Sequence, residues 1–153
     1  MSSIPLKNQT AILTGGAAGL GLALAKRLVD VGVNTCLFDT HQGNLENAKK
    51  ALGDLCSIAV VDVTDVDATT KEVDAIAARF GSIHMLVNCA GITGKTNLKS
   101  HEVDPKDFDR VLAINVRGTL LMCQAVLPHM LKSNYGRILN IASIAGKEGN
   151  AGM

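Results

Sequence analysis

The stretch that most constrains this chain is Thr14-Gly15-Gly16-Ala17-Ala18-Gly19-Leu20-Gly21, entered by the apolar run Ala11-Ile12-Leu13 and left by a helical pattern of leucines. A strand that turns sharply into a helix gathers the unpaired N–H groups of the helix start, and the positive end of its dipole, at one point where an anion is stabilised. Phosphate is the anion such a turn suits. Glycines at Gly15, Gly19 and Gly21 fit the task, because a tight turn, close approach of a pyrophosphate and close helix–sheet packing each exclude a Cβ. The spacing is Gly-x-x-x-Gly-x-Gly, not the Gly-x-Gly-x-x-Gly of the general dinucleotide fingerprint, and glycine-rich turns also close ordinary strand–helix units. The turn by itself leaves both readings open.

Periodicity extends the pattern along the chain. A strand is predicted over Gln9 to Leu13, then a helix with Leu20, Leu24, Leu28 and Val31 on one face, ended by Gly32. Val33 to Phe38 reads as a second buried strand closed by Asp39, eighteen residues after Gly21. At about that distance an acidic residue ending the second strand reaches the adenosine ribose, accepting from the diol and repelling a 2′-phosphate, which selects NAD over NADP. The alternative is an aspartate that begins the next turn. A short helix over Asn44 to Leu52 follows, then a third strand, Ser57 to Val61, closing on Asp62-Val63. Thr64 or Asp65 caps a helix with Val66, Val73, Ile76 and Phe80 on one face, stopped by Gly81.

A fourth strand, Ile83 to Val87, runs into the small-residue turn Asn88-Cys89-Ala90-Gly91. Residues 92 to 104 read as a loop over the same end of the sheet, and Pro105 as the first position of a long amphipathic helix that Pro128 kinks or ends. Asn115 interrupts the apolar stripe of that helix, either as a satisfied core polar group or as part of a site. Arg137 to Ile141 is the fifth strand, closed by Ala142-Ser143. The strand–helix alternation predicts an α/β, Rossmann-type doubly wound parallel sheet of order 3-2-1-4-5, incomplete on its C-terminal side, with residues 1–153 forming a single domain.

Fifteen basic and fourteen acidic residues leave a net charge of +1, with no basic run for nucleic acid to follow. The sequence reading finds no stretch long and apolar enough to cross a bilayer and no signal pattern, and expects a cytoplasmic protein without membrane contact. The four cysteines, Cys36, Cys56, Cys89 and Cys123, form no Cys-x-x-Cys pair, and the scattered histidines show no metal-ligand spacing. Reduced thiols and no metal site are expected.

Taken together, Thr14-Gly15-x-x-x-Gly19-x-Gly21, Asp39, Asp62-Val63, Asn88-Cys89-Ala90-Gly91, Asn115 and Ser143 closely resemble the short-chain dehydrogenase/reductase family, in order and from Leu6 onward. The resemblance implies an oxidoreductase that moves a hydride between a nicotinamide and a carbonyl or secondary alcohol. It implies that Thr14, Gly15, Gly19, Leu20 and Gly21 hold the pyrophosphate, Asp39 the adenosine ribose, and Asp62 with Val63 the adenine. Asn88, Ala90 and Gly91 would support the sheet and the nicotinamide-side ribose, with Cys89 in place of a commoner Asn. Asn115 would be the helix-borne member of the catalytic set, and Ser143 would polarise the substrate carbonyl. NAD is the implied cofactor, a small carbonyl or alcohol the substrate, and a homo-oligomer, dimer or tetramer, the assembly.

The same resemblance implies a Tyr-x-x-x-Lys pair shortly after the serine, and the 153 residues contain none. Tyr135 precedes Ser143, and Lys147 reads as a solvated loop lysine. Two expectations follow: the N-terminal part of a longer NAD-dependent reductase, similar to 3-oxoacyl-(acyl carrier protein) reductases or to sugar-acid and polyol dehydrogenases, or a cofactor-binding or subunit-associating fragment without catalysis. Either way, an uncovered fifth strand predicts marginal stability or association.

Overall fold

A computed structural model of the chain describes residues 5–149 and 152. Strands β1 (Thr10–Thr14), β2 (Asn34–Asp39), β3 (Cys56–Val60), β4 (Met85–Asn88) and β5 (Arg137–Asn140) lie parallel in the order β3-β2-β1-β4-β5. The order expected from the sequence is therefore found. Crossovers run through α1 (Gly19–Asp30), α2 (Gln42–Leu52), α3 (Val66–Phe80), α4 (Pro105–Leu112) and α5 (Thr119–Lys132).

Alternation along β1 shows how the layers form. Ala11 and Leu13 join Ala25, Leu37, Leu45, Ala48 and Val87 on one face, under α1 and α2. Ile12 points the other way and packs with Phe38, Val73, Ile76, Leu86, Met122, Val126 and Met130, under α3 and α5. With both faces covered, β1 is buried at every residue, which is why it reads as a continuous apolar run.

The helix faces differ in places from those the periodicity predicts. In α1 the residues turned to the sheet are Gly21 and Ala25, while Leu20 and Val31 are 54% and 48% exposed. A small-residue stripe lets this helix lie close to β1, and the leucine ladder is displaced to its flank. Val66 and Ala51 are likewise exposed, whereas Val73 and Ile76 hold α3 to the core. The Asp65 cap is as expected, its carboxylate accepting from Ala68 N–H at 3.0 Å.

The predicted long helix is divided. Between α4 and α5 the backbone widens into a π-helical segment, Ala113–Gly118, that carries Asn115. Pro128 does not end the helix; α5 continues to Lys132. Pro128 and Gln124 both lie on the exposed side, where solvent can serve the carbonyl that a proline leaves without a donor. A second correction concerns membranes. The run Pro105–Lys132, 28 residues long, contains an 18-residue window of mean hydropathy 1.5, enough to cross a bilayer by length and composition. Asn115, Arg117 and Pro128 interrupt that run in the sequence, which is why it escaped notice. In the fold this helix packs onto the sheet through Met122, Val126 and Met130.

All four cysteines are free thiols. Burial pushes the Cys36 and Cys89 thiols up and the Cys56 thiol up to about 11, so they behave as small apolar residues. At the sheet edge, β5 is exposed along its whole length.

Candidate functional site

The chain order moves outward from β1 to β2 and β3, then crosses back to β4 and β5, so the crossovers diverge between β1 and β4. A crevice must open there at the carboxyl ends of the strands. It is a cleft of about 690 Å³, lined on its glycine side by Gly15, Ala18, Gly19, Leu20 and Gly21. Asp39, Asp62 and Val63 line the β2–β3 side, and Ala90, Gly91 and Ile141 the β4–β5 side.

Its floor is built by exclusion of side chains. Gly15 has φ of +60°, and a Cβ there would stand 2.9 Å from the Ala90 backbone nitrogen. A Cβ on Gly21 would strike the Gly15 carbonyl. The turn and the start of α1 thus pack backbone to backbone. Ala18 caps α1 without any side-chain acceptor, so the first N–H groups of the helix open onto the cleft.

Thr14 stands behind this floor, fully buried, and its hydroxyl oxygen accepts from both Cys89 N–H (3.2 Å) and Ala90 N–H (3.1 Å). One side chain therefore ties the ends of β1 and β4 together beneath the crevice. Asn88 is buried beside it and donates through Nδ2 to Asn140 Oδ1 at 2.9 Å, while its Oδ1 has no partner among the described residues. Thr14 and Asn88 brace the cleft; neither lines it.

Asp39 ends β2 with both carboxylate oxygens held, Oδ2 by Ala17 N–H and Oδ1 by His41 N–H, each at 3.1 Å. Those two donors fix its orientation at the rim. Asp62 is exposed and accepts from the N–H and hydroxyl of Thr64 at 2.9 and 2.8 Å, whereas Val63 turns inward and is buried.

Asn115 is a loop clamp. Its Oδ1 accepts from Ile92 N–H and its Nδ2 donates to the Ile92 carbonyl, both at 2.9 Å, and its own carbonyl accepts from the Thr119 hydroxyl at 2.8 Å. The amide oxygen and nitrogen together hold the start of the 92–104 loop. A second anchor lies further on, where Lys95 N–H donates to Asp107 Oδ2 at 2.7 Å. Ser143 lies past the end of β5, is exposed and does not line the cleft; its hydroxyl caps the turn Ile144–Gly146 by accepting from Ala145 N–H at 3.2 Å.

Several lining residues were not anticipated: Phe38, Thr40, Val61, Ile92, Arg110, Ile114 and Ile141. The strand-end residues among them, Phe38, Val61 and Ile141, adjoin predicted positions and follow from the same topology. Arg110 and Ile114 carry a fainter signal, their spacing of four on the helix before Gly118.

Residues 9–153 match the family model described as short chain dehydrogenase. The chain belongs to this family. Among its relatives, 2-dehydro-3-deoxy-L-rhamnonate dehydrogenase (NAD(+)) of Sphingomonas sp. (strain SKA58) is 40% identical over 92% of the chain and 55% of its own length. The Homo sapiens 3-hydroxyacyl-CoA dehydrogenase type-2 is 38% identical over 97% of the chain and 60% of its own. The crystal structure of NAD+-bound xylitol dehydrogenase superposes with a TM-score of 0.92 at 35% identity, covering 97% of this chain and 58% of that one. The chain thus spans somewhat over half the length of these relatives.

Proposed function

We propose that these residues form the nucleotide-binding part of an NAD-dependent oxidoreductase that interconverts a secondary alcohol and a carbonyl. The observation that carries the reading is the cleft at the β1/β4 divergence, floored by a glycine turn that excludes side chains and rimmed by an oriented carboxylate, Asp39. The residues fit a dinucleotide. Gly15 and Gly21 leave a bare backbone cradle, and the uncapped start of α1 offers N–H donors for a pyrophosphate. Asp39 is left with lone pairs for a ribose diol and repels a 2′-phosphate, which supports NAD over NADP. When bound, the nicotinamide supplies hydride exchange.

The chain's own residues then orient and enclose. Asn115 holds Ile92 and the loop beyond it, Thr14 fixes Cys89 and Ala90, and the Ser143 hydroxyl keeps its hydrogen for a substrate oxygen. The acid–base tyrosine and lysine of the resemblance are not among these residues, so turnover is assigned to the protein of which they form part. The dehydrogenase names of the relatives support this reading over a non-catalytic fragment, and hydroxyacyl, sugar-acid or polyol substrates are the classes to try. A homo-oligomer in the cytosol belongs to the same reading, supported by the exposed apolar residues Phe108, Leu112, Val116, Leu120, Leu127 and Leu131 along one helix.

The test is spectrophotometric. Protein purified from its natural source, given NAD and those alcohols in turn, forms NADH with at least one class; no NADH formation or consumption with any alcohol or ketone contradicts the proposal.

A further inference from the structure

Arg110 is the one cation among the described residues that line the cleft, and it makes no ion pair and no side-chain hydrogen bond there. Its place in the fold is set by its helix. Gly118 abuts Val63, whose Cγ2 lies 2.5 Å from where a Cβ on that glycine would stand, and Arg117 reaches the Thr64 carbonyl at 3.4 Å. The helix therefore crosses the end of β3 at Gly118. Ile114 and Arg110 follow toward the start of that helix, and both line the cleft. Exposure rises along that line, from Gly118 buried against Val63 through half-buried Ile114 to exposed Arg110, so the row runs outward beside Val63 toward the cleft mouth.

We propose that Arg110 closes the adenine end of the cleft by laying its guanidinium over the outer face of the purine. This rests on the dinucleotide reading. A flat, weakly hydrated cation matches an aromatic face, and Ile114 beside it supplies the apolar wall. Neither carboxylate that lines the cleft pairs with Arg110: Asp39 is oriented by the Ala17 and His41 N–H groups and Asp62 Oδ1 accepts from Thr64. The pyrophosphate cradle is supplied by the backbone of the glycine turn, which leaves Arg110 for the base. Arg110 is thus a base-binding residue and not a phosphate ligand.

The experiment titrates the 153-residue chain and its Arg110→Met and Arg110→Lys variants calorimetrically with ADP-ribose, AMP and inorganic pyrophosphate. Arg110→Met weakens AMP and ADP-ribose by about 3- to 30-fold and leaves pyrophosphate unchanged. Arg110→Lys, keeping the charge without the plane, recovers part of the loss and serves as the second reading should the methionine variant fold poorly. Unchanged AMP binding in both variants, or an equal loss for pyrophosphate, overturns the stacking role while the dinucleotide reading stands. Failure of the unsubstituted chain to bind ADP-ribose overturns the reading itself.

Discussion

Replacing Thr14 by valine tests how the cleft is braced. The side chain is 1% exposed and the swap keeps its shape, so packing changes little while one oxygen is removed. That oxygen accepts from two backbone donors, Cys89 N–H at 3.2 Å and Ala90 N–H at 3.1 Å, which lie at the half-buried turn after β4. A buried donor deprived of its partner costs about 1–3 kcal/mol, and partial access to water moves these two toward the lower value. Together they give about 2–3 kcal/mol, or a fall in Tm of about 5–10 °C for a chain of this size. Urea unfolding followed by far-UV circular dichroism measures it directly. Thr14→Ser supplies the control, because it retains the oxygen and loses one methyl, worth about 1 kcal/mol. Thr14→Val as stable as the parent, or Thr14→Ser less stable than Thr14→Val, refutes the bracing argument.

Other consequences can be checked separately. Asn115→Ala removes both bonds to Ile92, so amide hydrogen exchange over residues 92–97 accelerates at least about tenfold while α3 keeps its protection. His84 accepts Thr10 N–H at Nδ1, 3.0 Å away, and burial lowers its pKa below the ordinary 6.5. The unfolded chain therefore takes up the proton first, and stability is flat above that ordinary value and falls as the pH drops from it toward the folded pKa. The urea midpoint at about pH 5.5 should lie below that at about pH 7.5, and His84→Gln should narrow the gap. Exposed Ile138, Leu139, Ile141 and Ile144 on and beyond edge strand β5 predict concentration-dependent association of the 153-residue chain, read by light scattering; a monodisperse, thermally robust monomer would count against it.

The sheet and much of the cleft lining were legible because both are written in strand ends. Gly15, Asp39, Asp62 and Gly91 each follow an apolar run, and a doubly wound sheet brings all such ends to one edge. Side-chain direction was less legible. In α1 the leucines were the obvious face, yet the sheet contact needs the shortest residues, Gly21 and Ala25, because the turn before the helix presses it against β1. The π-helical widening at Asn115 left no trace in the periodicity, since helical spacing continues on both sides of it. The periodicity left Asn115 open between a core polar group and a site residue, and the structure shows its amide bonded to Ile92. Arg110 went unremarked because an arginine on a helix is ordinarily solvated, and only the crossing at Gly118 and Val63 shows that its face looks into the cleft.

The central claim is that the glycine turn and Asp39 make a site for NAD. Calorimetric titration of the chain with NAD and NADP, beside its Gly15→Val variant, tests this most directly. One NAD per chain, weaker NADP and no binding by the variant, whose added side chain would press on Ala90, is the predicted result. Tighter NADP, or NAD binding undiminished by Gly15→Val, would contradict it.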